Sequence, residues 1–212
     1  MAIIKNGILG GFSGKVGTVV GVTWRDIDVM RALARPRTRA VSPAEQLQRA
    51  KMATVSSFLQ PMRDLLEVGF RDFAKKKDGS NAAQSHVMKN AVMVKGNDVY
   101  IMCEEVLVTR GDLPNVKVAV AGSAEKGVIQ FAWEDNSGLG KAGRADKAVL
   151  VVRRNEPKSC VYTLDGGFRS DGAASIQVNA FSGCEVHTWL SFVSKDRKDI
   201  TNSIFTGQFV VA

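Results

Sequence analysis

Few side chains in this chain are of the kinds that move protons or form covalent bonds: His86 and His187, and Cys103, Cys160 and Cys184, among 212 residues. A nucleophile needs a base within reach, and the base needs an orienting partner. His86 has no second histidine in its segment and lies among small residues, so it reads as an ordinary helix residue. His187 falls two residues before Trp189, on the same side of a strand, and reads as structural. The inventory is too thin for a zinc finger or a dense disulfide scaffold. Cys160 and Cys184 can approach one another in a β-sandwich, yet nothing in the sequence requires a bond, and a cytoplasmic chain keeps both reduced. Gly14-Lys15, inside a glycine run, invites comparison with a phosphate-binding loop. That loop needs a glycine five residues before Gly14 and a hydroxyl residue after Lys15; Leu9 and Val16 stand there instead. Both requirements fail, and the glycines read as positions where backbone lies close against another surface. No catalytic, cofactor-binding or metal-binding residues emerge, and the chain reads as a non-enzyme without a cofactor.

The remaining chemistry is electrostatic. The formal net charge is +8, and it is unevenly spread: residues 1–42 carry +5, residues 43–95 carry +4 and residues 96–212 carry −1. A basic first half suggests a partner of opposite charge. Lys15, Arg25, Arg31, Arg35, Arg37 and Arg39 are the candidate phosphate contacts, the last three alternating with other residues as in a flexible arm. No nucleic-acid-binding motif accompanies them and no aromatics are interleaved for stacking. Any such binding is expected to be independent of sequence and steeply salt-dependent.

The elements that must carry these residues follow from pattern. With 45% apolar and 24% charged residues the chain is globular in composition. No run approaches the roughly 18 apolar residues of a membrane span, and the opening lacks the basic-then-apolar order of a secretory signal. Residues 7–33 are glycine-punctuated and rich in β-branched residues. They read as extended chain with a possible hairpin at Phe12-Ser13-Gly14-Lys15. Gly10, Gly11, Phe12, Gly14, Val16, Gly17, Val19, Val20 and Trp24 are the candidate assembly residues of this arm. Ser42-Pro43-Ala44-Glu45 is a capping box, and the apolar spacing from Leu47 to Phe73 predicts an amphipathic helix. Pro61 should kink it and Asp78-Gly79 stop it, after Lys75-Lys76-Lys77. A short helix is expected over 81–92. From Asp98 the period becomes two, with strands at Tyr100–Met102 and Val106–Val108. Further strands are expected over 116–121, 128–134, 147–153, 160–164, 175–179, 185–193 and 204–211. Trp133 and Trp189 are natural core anchors.

Two resemblances follow. Residues 114–212 resemble a fibronectin type III or related immunoglobulin-like module. Asn6 to Gly21 with Trp24-Arg25, Gln48-Arg49-Ala50-Lys51, Thr109 to Leu113, Trp133 to Gly138 and Phe192 to Asp196 resemble a family of uncharacterised Bacteroidota proteins, a domain of unknown function (6266). That resemblance covers most of the chain and implies an architecture, with no site residues to carry over. The expected fold is α+β, mainly β: a glycine-rich arm and basic linker (1–42), a kinked helical segment (43–95) and an immunoglobulin-like β-sandwich (96–212). The expected function is a structural protein that self-assembles through its arm and helix, as in a phage or phage-like particle. Its partners are copies of itself and other particle proteins, its location cytoplasm or virion. The alternative is a sequence-independent nucleic-acid-binding protein using the basic half.

Overall fold

A computed structural model describes residues 3–4, 10–24, 26–36, 38–74, 78–96 and 98–212. The chain divides into two compact units, Met1–Ser42 and Pro43–Ala212. The class is α+β, mainly β.

The first unit is an antiparallel four-stranded meander: β1 (Ile3–Ile4), β2 (Phe12–Val16), β3 (Val19–Trp24) and β4 (Ile27–Ala32), in that order. The turn expected at Phe12 to Lys15 falls instead at Gly17-Thr18, since Phe12–Val16 is strand, and the sheet is larger than a hairpin because Ile27–Ala32 also pairs, Val20 lying opposite Arg31 and Trp24 opposite Ile27. Gly21 explains one of the glycines. A Cβ there would stand 2.1 Å from the Phe12 carbonyl oxygen and 2.6 Å from its ring, so only glycine lets β2 and the Phe12 ring close over β3. Gly21 is also the one buried residue among the described residues of this unit.

The described residues of the second unit form α1 (Pro43–Leu59), α2 (Arg63–Gly69), α3 (Gly79–Asn90) and nine strands. Pro61 lies in a 3-10 turn, Gln60–Met62, that separates α1 from α2, as its missing N–H requires. The helix run ends at Gly69, earlier than its apolar spacing suggested: Phe70 is buried and Arg71–Phe73 form a 3-10 turn. Lys75 to Lys77 lie outside the described residues. Helix α3 has a tertiary cap: Asp78 makes no side-chain cap bond. Instead Glu67 of α2 accepts the Gly79 amide at 2.7 Å, the Ser80 hydroxyl at 2.8 Å and the Ser80 amide at 3.2 Å. Burial pushes the Glu67 carboxyl up, but these hydrogen bonds and the Arg63 charge outweigh it and hold it below its ordinary value. A depressed folded-state pKa stabilises above the unfolded pKa and is lost as pH falls through the folded one. Glu67→Ala should therefore destabilise by about 1–2 kcal/mol at neutral pH. In urea denaturation the gap between variant and wild type should narrow as pH drops below the ordinary carboxylate range.

A hairpin, β5 (Val92–Lys95) and β6 (Asp98–Ile101), follows α3. Val106 and Val108, expected in a strand, are buried in irregular chain, where the Val108 amide donates to the Ser203 hydroxyl at 2.9 Å. The remaining strands are β7 (Ala119–Gly122), β8 (Val128–Trp133), β9 (Lys147–Arg154), β10 (Ser159–Thr163), β11 (Ala173–Gln177), β12 (Glu185–Val193) and β13 (Ile204–Val210). They form a four-stranded sheet, β10-β9-β12-β13, and a three-stranded sheet, β11-β8-β7. Val149, Val151, Trp189 and Val193 join Phe58, Leu65, Leu66 and Phe70 of the helical segment in one core cluster. The alternate residues Leu150, Val152, Leu190 and Phe192 join Ile129, Phe131 and Trp133 of the second sheet in another. Period-two alternation thus gives β9 and β12 two buried faces, with helices on one and the second sheet on the other.

Candidate functional site

The first unit is the candidate assembly surface. Register and alternation assign its residues to two faces. One carries Phe12, Gly14, Val16, Val19, Gly21, Thr23, Asp28 and Met30. There the Thr23 hydroxyl donates to Asp28 Oδ1 at 2.8 Å. The other carries Ile3, Val20, Val22, Trp24, Ile27 and Val29 as an apolar strip, with Lys15 and Arg31 together at one end. Trp24 is 58% exposed, Ile27 60% and, on the first face, Met30 71%. Of the candidate arm residues, Gly10, Gly11 and Phe12 lead into and open β2, Gly17 turns β2 into β3 at φ 56°, and the rest lie in the strands. Beyond β4 the Leu33 amide donates to the Thr18 carbonyl at 2.7 Å, and an open groove of about 600 Å³ runs past Thr18, Met30, Leu33 and Arg35. Lys15, Arg31, Arg35 and Arg39 are exposed; Arg25 and Arg37 lie outside the described residues.

Cys103, Cys160 and Cys184 are free thiols; burial pushes Cys103 up to about 11 and Cys160 up to about 12, which keeps both protonated and unreactive. His86 packs its ring 6.3 Å from that of Phe70. Burial, then the Arg110 charge, lowers its pKa. Among the described residues no three His, Cys, Asp or Glu side chains gather as a metal-binding group.

The sequence motifs noted above hold architecture in place. Arg169, fully buried, pairs its Nε with Asp146 Oδ2 at 3.1 Å and donates Nη1 to Asn136 Oδ1 at 2.7 Å and to the Pro114 carbonyl at 3.1 Å. Its guanidinium lies 4.3 Å from the Phe192 ring centre, and its carbonyl accepts Trp133 Nε1–H at 2.8 Å. The Trp133-to-Gly138 and Phe192-to-Asp196 motifs thus meet on one buried arginine. The Thr109-to-Leu113 motif runs along residues 200–203: Thr109 Oγ1 donates to the Thr201 carbonyl at 2.9 Å and the Leu113 amide to the Ile200 carbonyl at 3.1 Å. A Cβ on Gly111 would meet the Ile200 carbonyl oxygen at 2.0 Å.

Sequence reasoning missed Arg153. An arginine at a strand position of core parity, in step with Val149 and Val151, is the signal that would have marked it.

A mainly β chain with an attached helical layer, and motifs that tie its framework together, is the class these features define. The chain belongs to a family of unknown function, DUF6266, whose model matches residues 11–207. No curated protein matches it. Among solved structures it is similar to the solution structure of the fn3 domain of the human collagen alpha-1(XX) chain, at 10% identity over 46% of this chain and 83% of that one, with a TM-score of 0.33.

Proposed function

We propose that this chain is a non-enzymatic structural protein that self-assembles by pairing the apolar face of its N-terminal sheet with that of a second copy, as a repeating component of a phage or phage-like particle. The observation that carries it is a folded four-stranded sheet with an apolar strip of Ile3, Val20, Val22, Trp24, Ile27 and Val29, of which Ile3, Trp24, Ile27 and Val29 are exposed. Small sheets need a covered apolar face to be stable, and exposed apolar strips of this kind mark contact surfaces. A two-fold pairing uses the same patch twice. With strands antiparallel it sets the Lys15–Arg31 end of one sheet over the Trp24–Ile27 end of the other. Like charges then stay apart and each Arg31 meets an indole, a favourable cation–π arrangement. The apolar side of the helical segment is already occupied by the core of its own unit, so the proposal rests on the arm without the helix. It carries with it an immunoglobulin-like reading of the two facing sheets and a location in cytoplasm or virion.

Light scattering on the full chain and on residues 43–212 tests this. The full chain should have the mass of a multimer and the shortened one that of a monomer; a monomeric full chain would refute the proposal.

The exposed Lys15, Arg31, Arg35 and Arg39 favour one second reading, sequence-independent binding of nucleic acid. Retention of duplex DNA in a mobility assay at low salt, lost as salt rises, would support it, and no retention at low salt would exclude it.

A further inference from the structure

Across the four-stranded sheet runs a row of directly opposed residues: Cys160 on β10 faces Arg153 on β9, Arg153 faces His187 on β12, and His187 faces Gln208 on β13. Opposed residues project from the same face, and this is the face that carries Val151 and Trp189 into the helical core. Arg153 is therefore an arginine at a core position, and it is only 2% exposed. Its contacts orient it without neutralising it. Nε donates to the Phe58 carbonyl at 3.2 Å, Nη1 donates to Asn155 Oδ1, and the guanidinium lies 3.9 Å from the Phe58 ring centre. Among the described residues no carboxylate forms an ion pair with it. The Cys103 and Cys160 thiols beside it are both held in the uncharged form by burial. A buried charge lacking a counter-charge is costly and is retained where something compensates it.

Next to it, His187 is 5% exposed, and its Nδ1 is buried without a hydrogen-bond partner. Gln208 stands directly opposite on β13, and in a neutral imidazole either nitrogen can carry the hydrogen, so Nδ1 can present an N–H. Both residues line an open cleft of about 560 Å³, together with Phe58, Tyr100, Cys103 and Lys158. Lys158 is exposed at the rim, with its ammonium donating to the Ser57 hydroxyl. Glu156 also lines the cleft, so two permanent cations stand against one carboxylate.

We propose that this cleft binds a small oxyanion-bearing ligand, whose phosphate or carboxylate group sits between Arg153, His187 and Lys158. The oxyanion supplies the counter-charge that Arg153 lacks and an acceptor for His187 Nδ1–H, and Lys158 closes over it. The cleft exceeds the size of a bare anion, and half-exposed Tyr100 offers a wall for the rest of the molecule. This site is independent of the arm.

The test is NMR of the His187 ring and Trp189 indole in the full chain, titrated with inorganic phosphate or with acetate against sodium chloride of equal ionic strength. A saturable shift of the His187 signals is expected. Saturation by phosphate alone assigns a phosphorylated ligand, and saturation by acetate alone a carboxylate. Arg153→Met should weaken binding by about tenfold or more while its melting temperature stays level or rises, because an uncompensated buried charge has gone. Lys158→Ala, at an exposed position that leaves folding intact, should weaken binding several-fold and carries the test if Arg153→Met fails to fold. No saturable shift with either anion, or wild-type binding in the folded variants, overturns the proposal.

Discussion

Asp146→Ala should destabilise the 43–212 unit by about 3–5 kcal/mol, the scale for removing one partner of a buried ion pair. The loss is large because the damage exceeds one contact. Arg169 would remain fully buried with its charge unmatched, and the Gly143 amide, which donates to Asp146 Oδ2 at 2.9 Å, would lose its acceptor too. Domains of this size typically have about 5–15 kcal/mol in total, so the variant stands near the edge of stability. Thermal unfolding should shift down by about 6–20 °C. Changing both partners, Arg169→Met with Asp146→Leu, should recover only part of the loss. The unpaired charge disappears, but the Asn136 side chain and the Pro114 carbonyl are left without the donor that served both. A single variant within about 1 kcal/mol of wild type would show that this centre is not what holds the loops together.

Trp189→Ala should cost a similar amount, about 3–5 kcal/mol, for a different reason. The indole is completely buried at the middle of β12 and meets the Phe58 and Phe205 rings edge-on, at 6.5 Å and 5.6 Å. It therefore joins α1 to both β12 and β13. Truncation leaves a void whose walls belong to a helix and a sheet, and these cannot collapse together without moving the backbone. Guanidinium denaturation followed by far-UV circular dichroism would measure the loss. Retention of most of the stability would mean that the helical layer packs on the sheet loosely.

Where sequence and structure agree, the agreement has a local cause. The strands from Val128 to Val210 follow from apolar alternation broken by turn residues, and α1 follows from three- and four-residue spacing after Pro43. The arm's β-prone character was legible in Val19, Val20 and Val22. Its last strand was not, because Ile27 to Ala32 mixes Asp28 and Arg31 with apolar residues and is fixed by pairing with β3. The Glu67 cap on α3 and the opposition of Arg153 to His187 depend on how separate elements meet, which no local pattern records. Likewise the noted motifs stand apart in the chain; that two of them meet at Arg169 is a fact of folding. Arg153 was discoverable in principle. Its place in the alternation of β9 calls for an apolar side chain, and the departure itself was the clue.

The two-sided burial of β9 and β12 bears on how this protein can be cut and recombined. An immunoglobulin-like module taken alone turns the outer face of each sheet to water, and can be moved between proteins as a self-sufficient cassette. Here, excising residues 43–95 would uncover Val149, Val151, Trp189 and Val193 at once. The smallest portable piece is therefore the whole of 43–212, and the helical layer and the strands are bound to be inherited together.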